Sequence, residues 1–164
     1  MGDPQPRISN EMGTNMQLFS RQVMTTGPAD AAVGWATDIA AAATKLMGIE
    51  VAVWGAGFGA PVGALAFTAR VEGVADLMTR AAPLAGDADY AALLAKGADL
   101  MAAPPSDSLA TPLHGDLGDP PPVGSWAVVT NVVIGNGKYA EAVGWGVDIA
   151  QHVTGLTGMP VGVM

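Results

Sequence analysis

The stretch AVGWATDIA at residues 32–40 returns as AVGWGVDIA at residues 142–150, which is 110 positions further along the chain. When this offset is held without gaps over residues 32–54 and 142–164, 12 of the 23 aligned positions are identical. A repeat at a fixed offset indicates a duplicated structural unit, so the fold is predicted from the order of elements in each copy.

Both copies predict a strand, a helix and a second strand. β-branched and apolar runs predict the strands, and a glycine after the last apolar turn predicts the end of each helix, at Gly48 and at Gly158. The strands are predicted at residues 17–24, 51–54, 126–134 and 161–164.

The first copy continues with a turn over residues 59–63, a second hairpin strand at 64–71 and two helices, the later one beginning near Asp87. Residues 51–69 carry no charge over a length that could just span a bilayer, but the glycines and the proline at their centre favour a hairpin over a membrane span. The unit reads β-α-β-β-α, which is the start of a ferredoxin-like fold.

The domain boundaries follow from the repeat. We predict a flexible arm over residues 1–14, a first unit at 15–101, a proline-rich linker at 102–125 with room for a short edge strand near 108–113, and a second, incomplete unit at 126–164. The second copy lacks the matching hairpin strand and the second helix, so we expect it to leave a sheet edge open to another chain. Three explanations stay open: the chain is part of a longer protein, a partner or second copy completes the sheet, or the last elements have been lost.

Composition excludes several classes of function. The 164 residues include 7 basic and 15 acidic side chains, so the net charge of −8 argues against nucleic acid and against an anionic membrane as partner. The absence of cysteine excludes disulfides and thiolate metal sites. The polar N-terminus does not resemble a signal peptide, and together with the acidic surface it predicts a cytoplasmic protein.

In its element order and duplication, the chain resembles the dimeric α+β barrel superfamily, in which two ferredoxin-like units pack sheet against sheet. The resemblance spans about residues 16–100 and 126–164 and rests on no residue motif. It implies an α+β fold of tandem ferredoxin-like units, the second truncated. The superfamily includes cofactor-free monooxygenases, haem enzymes, isomerases and ligand-binding modules.

The candidate catalytic residues are His152 and Asp148. They lie four positions apart on the second repeat helix, so their side chains share a face, and an aspartate can orient an imidazole that acts as a base. The first copy keeps Asp38 but has Ala42 in place of the histidine. A surface or packing role is the alternative interpretation, because an Asp/His pair at this spacing is common on helices. The other histidine, His114, lies in the linker.

The candidate ligand-binding residues are aromatic and acidic side chains, most of them recurring between the copies. Each repeated tryptophan either anchors its helix on the sheet or forms a wall of a ligand cavity. These candidates are Trp35, Asp38, Trp145 and Trp54. The glycines of residues 55–59 do not match the dinucleotide fingerprint, and neither a metal nor a cofactor is predicted.

Two functions of different class follow. The first is a small-molecule-binding or protein-interaction module that self-associates through an open sheet edge, with an apolar small molecule as a candidate ligand. The second is a cofactor-free monooxygenase or isomerase that uses His152 and Asp148 as an acid–base pair. A structural subunit that assembles through the exposed strand is a third reading.

Overall fold

The computed structural model describes residues 16–164, so the arm predicted over residues 1–14 lies outside the described part. The described chain forms four strands, four α-helices and one short 3-10 helix at Ala82–Gly86. In chain order they are β1 Gln17–Met24, α1 Ala29–Met47, β2 Val51–Gly55, β3 Ala64–Val71, α2 Val74–Ala81, α3 Ala88–Ala98, β4 Ser106–Ala110 and α4 Tyr139–Thr157.

The four strands form one antiparallel sheet in the order β2-β3-β1-β4, which confirms the α+β, ferredoxin-like prediction for the first copy. Burial alternates along β3, where Leu65, Phe67, Ala69 and Val71 are buried and the residues between them are half-buried. One face of the sheet therefore carries the core, beneath α1 and α3.

The hairpin between β2 and β3 confirms the interpretation of the uncharged stretch at residues 51–69. The strands pair in the register Val53 with Phe67. The turn between them ends at Gly63, which adopts a left-handed φ of 88°. Among residues 16–164, no helix is both long enough and apolar enough to cross a bilayer.

Helix α1 ends where the sequence predicts. Gly48 has a left-handed φ of 68°, and its N–H donates to the carbonyl of Thr44. Small and apolar residues on one side of the helix pack on the sheet. They are Ala32, Trp35, Ala36, Ile39, Ala40, Ala43 and Met47. The small residues let the helix approach the strands closely, and Trp35 fills the remaining space.

The fourth strand of the first unit lies inside the stretch predicted as a linker, and it overlaps the short edge strand expected there near residues 108–113. Ser106–Ala110 pairs with β1 in the register Ser108 with Ser20. The sequence SDSLA is short and polar, so it carries little strand signal. It forms a strand because the outer edge of β1 offers unpaired backbone groups.

The strand predicted at residues 126–134 does not form, and Val161–Met164 contributes only one bridge, between Val163 and His114. In the first copy β1 takes its hydrogen bonds from β3 and β4. Within residues 16–164, no strand pairs with residues 126–134 in the same way.

The second repeat helix does form. Like α1, α4 has 19 residues and ends at a glycine in the left-handed conformation, Gly158 with a φ of 70°. In contrast to α1, it buries only Ala150. The local sequence signals therefore produce the helix, but α4 does not bury an apolar face as α1 does. A second ferredoxin-like unit stays a prediction.

Candidate functional site

His152 and Asp148 lie together on the exposed side of α4. They line a shallow, open depression of about 420 Å³, which is completed by Gln151, Gly155 and Leu156. Both side chains are exposed, and no hydrogen bond joins them among the contacts of residues 16–164. The predicted pair thus shares one site, but nothing in that site orients the imidazole.

Trp35 has the contacts of a helix anchor. Its indole Nε1 donates a hydrogen bond of 2.9 Å to the Leu93 carbonyl on α3, and its ring meets Phe67 edge-on at 6.1 Å between centroids. The ring is buried and Gly97 of α3 lies directly against it. These contacts satisfy both the ring and its N–H within the core.

The equivalent Trp145 is 56% exposed on α4. The two repeated aspartates, Asp38 and Asp148, are exposed as well. Because Trp35 is in the core and Trp145 is at the surface, the duplicated residues do not form two equal walls of one cavity in this chain.

Trp54 lies on the opposite side of the sheet from Trp35. It stands across from Ala66 on β3, and its indole Nε1 donates to the Thr68 hydroxyl at 2.8 Å. Trp54 is half-buried. Among the tryptophans predicted to contact a ligand, it is therefore the one that presents part of its aromatic surface beside a polar group, the Thr68 hydroxyl.

Sequence reasoning missed the arginines of the sheet. Arg21 on β1 forms a double hydrogen bond with Asp107 on β4, with both N–O distances at 2.7 Å. The hydrogen bond from Arg21 lowers the pKa of Asp107, and burial raises the pKa of the nearby Tyr90. No local signal could have found this pair, because its members are 86 positions apart.

Arg70 on β3 is the other missed residue. Its Nη2 donates to the carbonyls of Leu117 and Asp119, at 2.8 and 3.0 Å. Its Nε is buried and has no hydrogen-bond partner among residues 16–164. In the sequence, Arg70 is visible only as the charge that ends an apolar stretch.

No protein-family model matches the chain, and no curated protein sequence matches it significantly. Solved structures do match its fold. A NIPSNAP family protein of unknown function from Agrobacterium tumefaciens aligns at a TM-score of 0.54 and 19% identity, over 60% of this chain and 89% of that chain. An uncharacterized NIPSNAP-like domain protein from Burkholderia xenovorans aligns at 0.53 and 14% identity, over 70% and 97%.

A second NIPSNAP family protein from Agrobacterium tumefaciens matches at a TM-score of 0.53 and 15% identity. At these identities the likeness concerns the fold alone. The predicted ferredoxin-like α+β fold is confirmed at that level. The chain thus contains a ferredoxin-like α+β unit, followed by a segment that carries the repeat.

Proposed function

We propose that the protein is a self-associating interaction module, in which residues 126–134 pair with the same residues of a second copy. We name these residues the free strand segment. The observation that carries the proposal is that a run with strong β-propensity is exposed and has no strand partner between residues 16 and 164. Such a run is a template for pairing with another chain.

The exposure of this segment is large for apolar side chains. Trp126 is 88% exposed, Val128 95% and Val133 98%. Singly exposed apolar residues are ordinary, but a contiguous apolar run marks an interaction surface. On α4, Trp145 and Leu156 are exposed too, so the same half of the chain offers further apolar area.

Charge favours a second copy as the partner. The chain has a net charge of −8, yet residues 120–137 contain no charged side chain. Two copies can therefore bring these segments together without repulsion between like charges. The segment also lacks the lysines and prolines that usually protect an edge strand from pairing.

The sequence is suited to antiparallel pairing about a two-fold axis at Thr130. That register places Trp126 opposite Ile134 and Val128 opposite Val132 of the other copy. Aromatic and β-branched cross-strand pairs of this kind stabilise a sheet, and an isologous arrangement closes as a dimer.

The test is sedimentation velocity across a range of protein concentrations. We expect wild type to form a discrete dimer. Val132→Lys should weaken dimerisation by about tenfold or more, since it places a charge in each of two cross-strand pairs. Val129→Pro should weaken it as well, because proline removes a ladder donor.

The matched control is Val62→Lys, which makes the same substitution at a turn residue that is 98% exposed. This variant should dimerise like wild type. A wild type that stays monomeric at every concentration would refute the proposal, as would an equal loss of dimer in Val62→Lys and Val132→Lys.

The second candidate function is a cofactor-free monooxygenase or isomerase, favoured by the depression that His152 shares with Asp148. For the oxygenase reading, we expect oxygen uptake with a panel of electron-rich aromatic substrates, lost in His152→Ala without a change in thermal unfolding. His114→Ala is the control, and it should keep the activity. If wild type consumes no oxygen, or if His152→Ala is as active as wild type, His152 has no role in such a reaction.

A further inference from the structure

The sheet face that points away from α1 and α3 carries a single charged residue in the four strands of residues 16–164. We name it the open face. The strand register places uncharged side chains over almost all of it. In the four strands they are Leu18, Ser20, Gln22, Met24, Ala52, Trp54, Ala64, Ala66, Thr68, Ser106, Ser108 and Ala110. The exception is Arg70, directly opposite Leu18.

Part of this face is covered by residues 112–126, which we name the strap. The strap meets the sheet where Arg70 donates to the carbonyls of Leu117 and Asp119. At its far end, the ring of Trp126 comes within 3.1 Å of the position that a Cβ on Gly57 would take. The strap therefore extends from the Arg70 end of β3 to the hairpin turn.

The hydrogen bonding of Arg70 is incomplete. Its Nη2 meets two neutral carbonyls, and no acidic side chain within residues 16–164 forms an ion pair with it. Its Nε is buried, and no acceptor for it lies in the part of the chain that the structure describes. A guanidinium with a buried N–H is stabilised best by a carboxylate, which accepts two parallel hydrogen bonds from adjacent N–H groups.

We propose that Arg70 anchors a binding site on the open face for a singly charged carboxylate with an apolar body, and that the ligand competes with the strap. Nε and Nη2 form one edge of the guanidinium, and that edge matches the two oxygens of a carboxylate. A phosphate ester would bring up to two negative charges to a face that offers one positive charge, in a chain of net charge −8.

The residues beside Arg70 indicate where the apolar body lies. Thr68 is two residues along the same strand, about 7 Å away, and its hydroxyl accepts from Trp54 at 2.8 Å. Leu18 stands across from Arg70 on β1. A ring two or three carbons from the carboxylate would therefore lie over Thr68, towards the indole of Trp54, with Leu18 beside the carboxylate end.

The strap itself carries an alternative carboxylate for Arg70, the side chain of Asp119. Its backbone carbonyl already accepts from Arg70. Asp119→Asn separates the two sources, because it removes the intramolecular carboxylate and leaves a free ligand unaffected or more tightly bound.

The experiment is isothermal titration of the full chain with 3-phenylpropionate, with 3-phenylpropionamide as the uncharged control. We expect the acid to bind wild type and the amide to bind at least about tenfold more weakly. Arg70→Gln should weaken binding of the acid by about tenfold or more. Arg70→Lys should bind the acid little better than Arg70→Gln does, because lysine cannot form the paired hydrogen bonds.

Arg80→Gln is the matched control, since Arg80 is bonded to Asp76 on α2. It should bind the acid like wild type. Thermal unfolding of Arg70→Lys reports whether the fold survives a change at this position. Equal binding of acid and amide, or undiminished binding by Arg70→Gln, would overturn the proposal.

Two more outcomes are decisive. If the acid binds to Asp119→Asn but not to wild type, the proposal of a free ligand is overturned and Asp119 is assigned as the carboxylate that Arg70 binds. If the acid binds to neither protein, the proposed binding site at Arg70 is overturned. The proposal does not rest on self-association, so Val132→Lys should bind the acid like wild type even where it no longer dimerises.

Discussion

Trp35→Ala is expected to lower the free energy of unfolding by about 3–5 kcal/mol, the range for removing a large buried aromatic ring. The substitution would leave a cavity between α1, β3 and α3, where the ring now packs against Phe67. It would also leave the Leu93 carbonyl without the indole N–H that binds it at 2.9 Å.

The internal repeat supplies the matched control. Trp145 occupies the equivalent position on α4 but is 56% exposed, so Trp145→Ala is expected to lower the free energy of unfolding by less than about 1 kcal/mol. Trp35→Phe keeps most of the buried apolar area but loses the hydrogen bond to Leu93. We therefore expect it to lower the free energy of unfolding by less than Trp35→Ala does.

Urea unfolding, followed by circular dichroism, measures these differences. The variants are best compared in the Val132→Lys background, where we expect a monomer, so that an interface contact of Trp145 does not enter the result. An equal cost for Trp35→Ala and Trp145→Ala would show that α4 packs in solution as α1 does, contrary to the structure.

Gly97→Ala is expected to cost about 2 kcal/mol or more, although alanine is the better helix former. A Cβ at this position would overlap Cε2, Cζ2 and Nε1 of Trp35. The ring cannot move aside without losing its bond to Leu93, so the backbone of α3 must shift, and overpacking of this kind is destabilising.

Gly34→Ala on α1 is the control for Gly97→Ala. Nothing lies within 4 Å of a Cβ at Gly34, and the position is exposed within a helix. This substitution should stabilise the protein by about 0.5–1 kcal/mol through helix propensity alone.

A double variant tests the mechanism at Gly97. Combining Gly97→Ala with Trp35→Phe should cost less than the sum of the two single changes, because the smaller ring makes room for the methyl group. If Gly97→Ala is as harmless as Gly34→Ala, or if the two changes simply add, the close contact does not limit stability.

Helices and turns were predictable because their signals are local. The apolar stripe of α1, its end at Gly48 and the hairpin turn at residues 59–63 each depend on residues within a few positions of one another. The same holds for α3, where the Asp87 carboxylate accepts from the Tyr90 N–H at 2.7 Å, as an N-cap should.

The candidate site was predictable only in part. The spacing of His152 and Asp148 placed both on one side of α4, and the structure shows them in one depression. Arg70 was missed because its importance comes from the strap, whose residues 117 and 119 lie 47 and 49 positions further along the chain.

The sequence by itself determined the repeat, the two 19-residue helices with their glycine ends, and the hairpin. Tertiary structure decided which segments became strands. SDSLA at residues 106–110 carries little strand signal and forms β4, whereas WAVVTNVVI at residues 126–134 carries a strong one and forms no strand. The reason is that a helix makes its hydrogen bonds within itself, while a strand exists only where a neighbouring strand offers its own donors and acceptors.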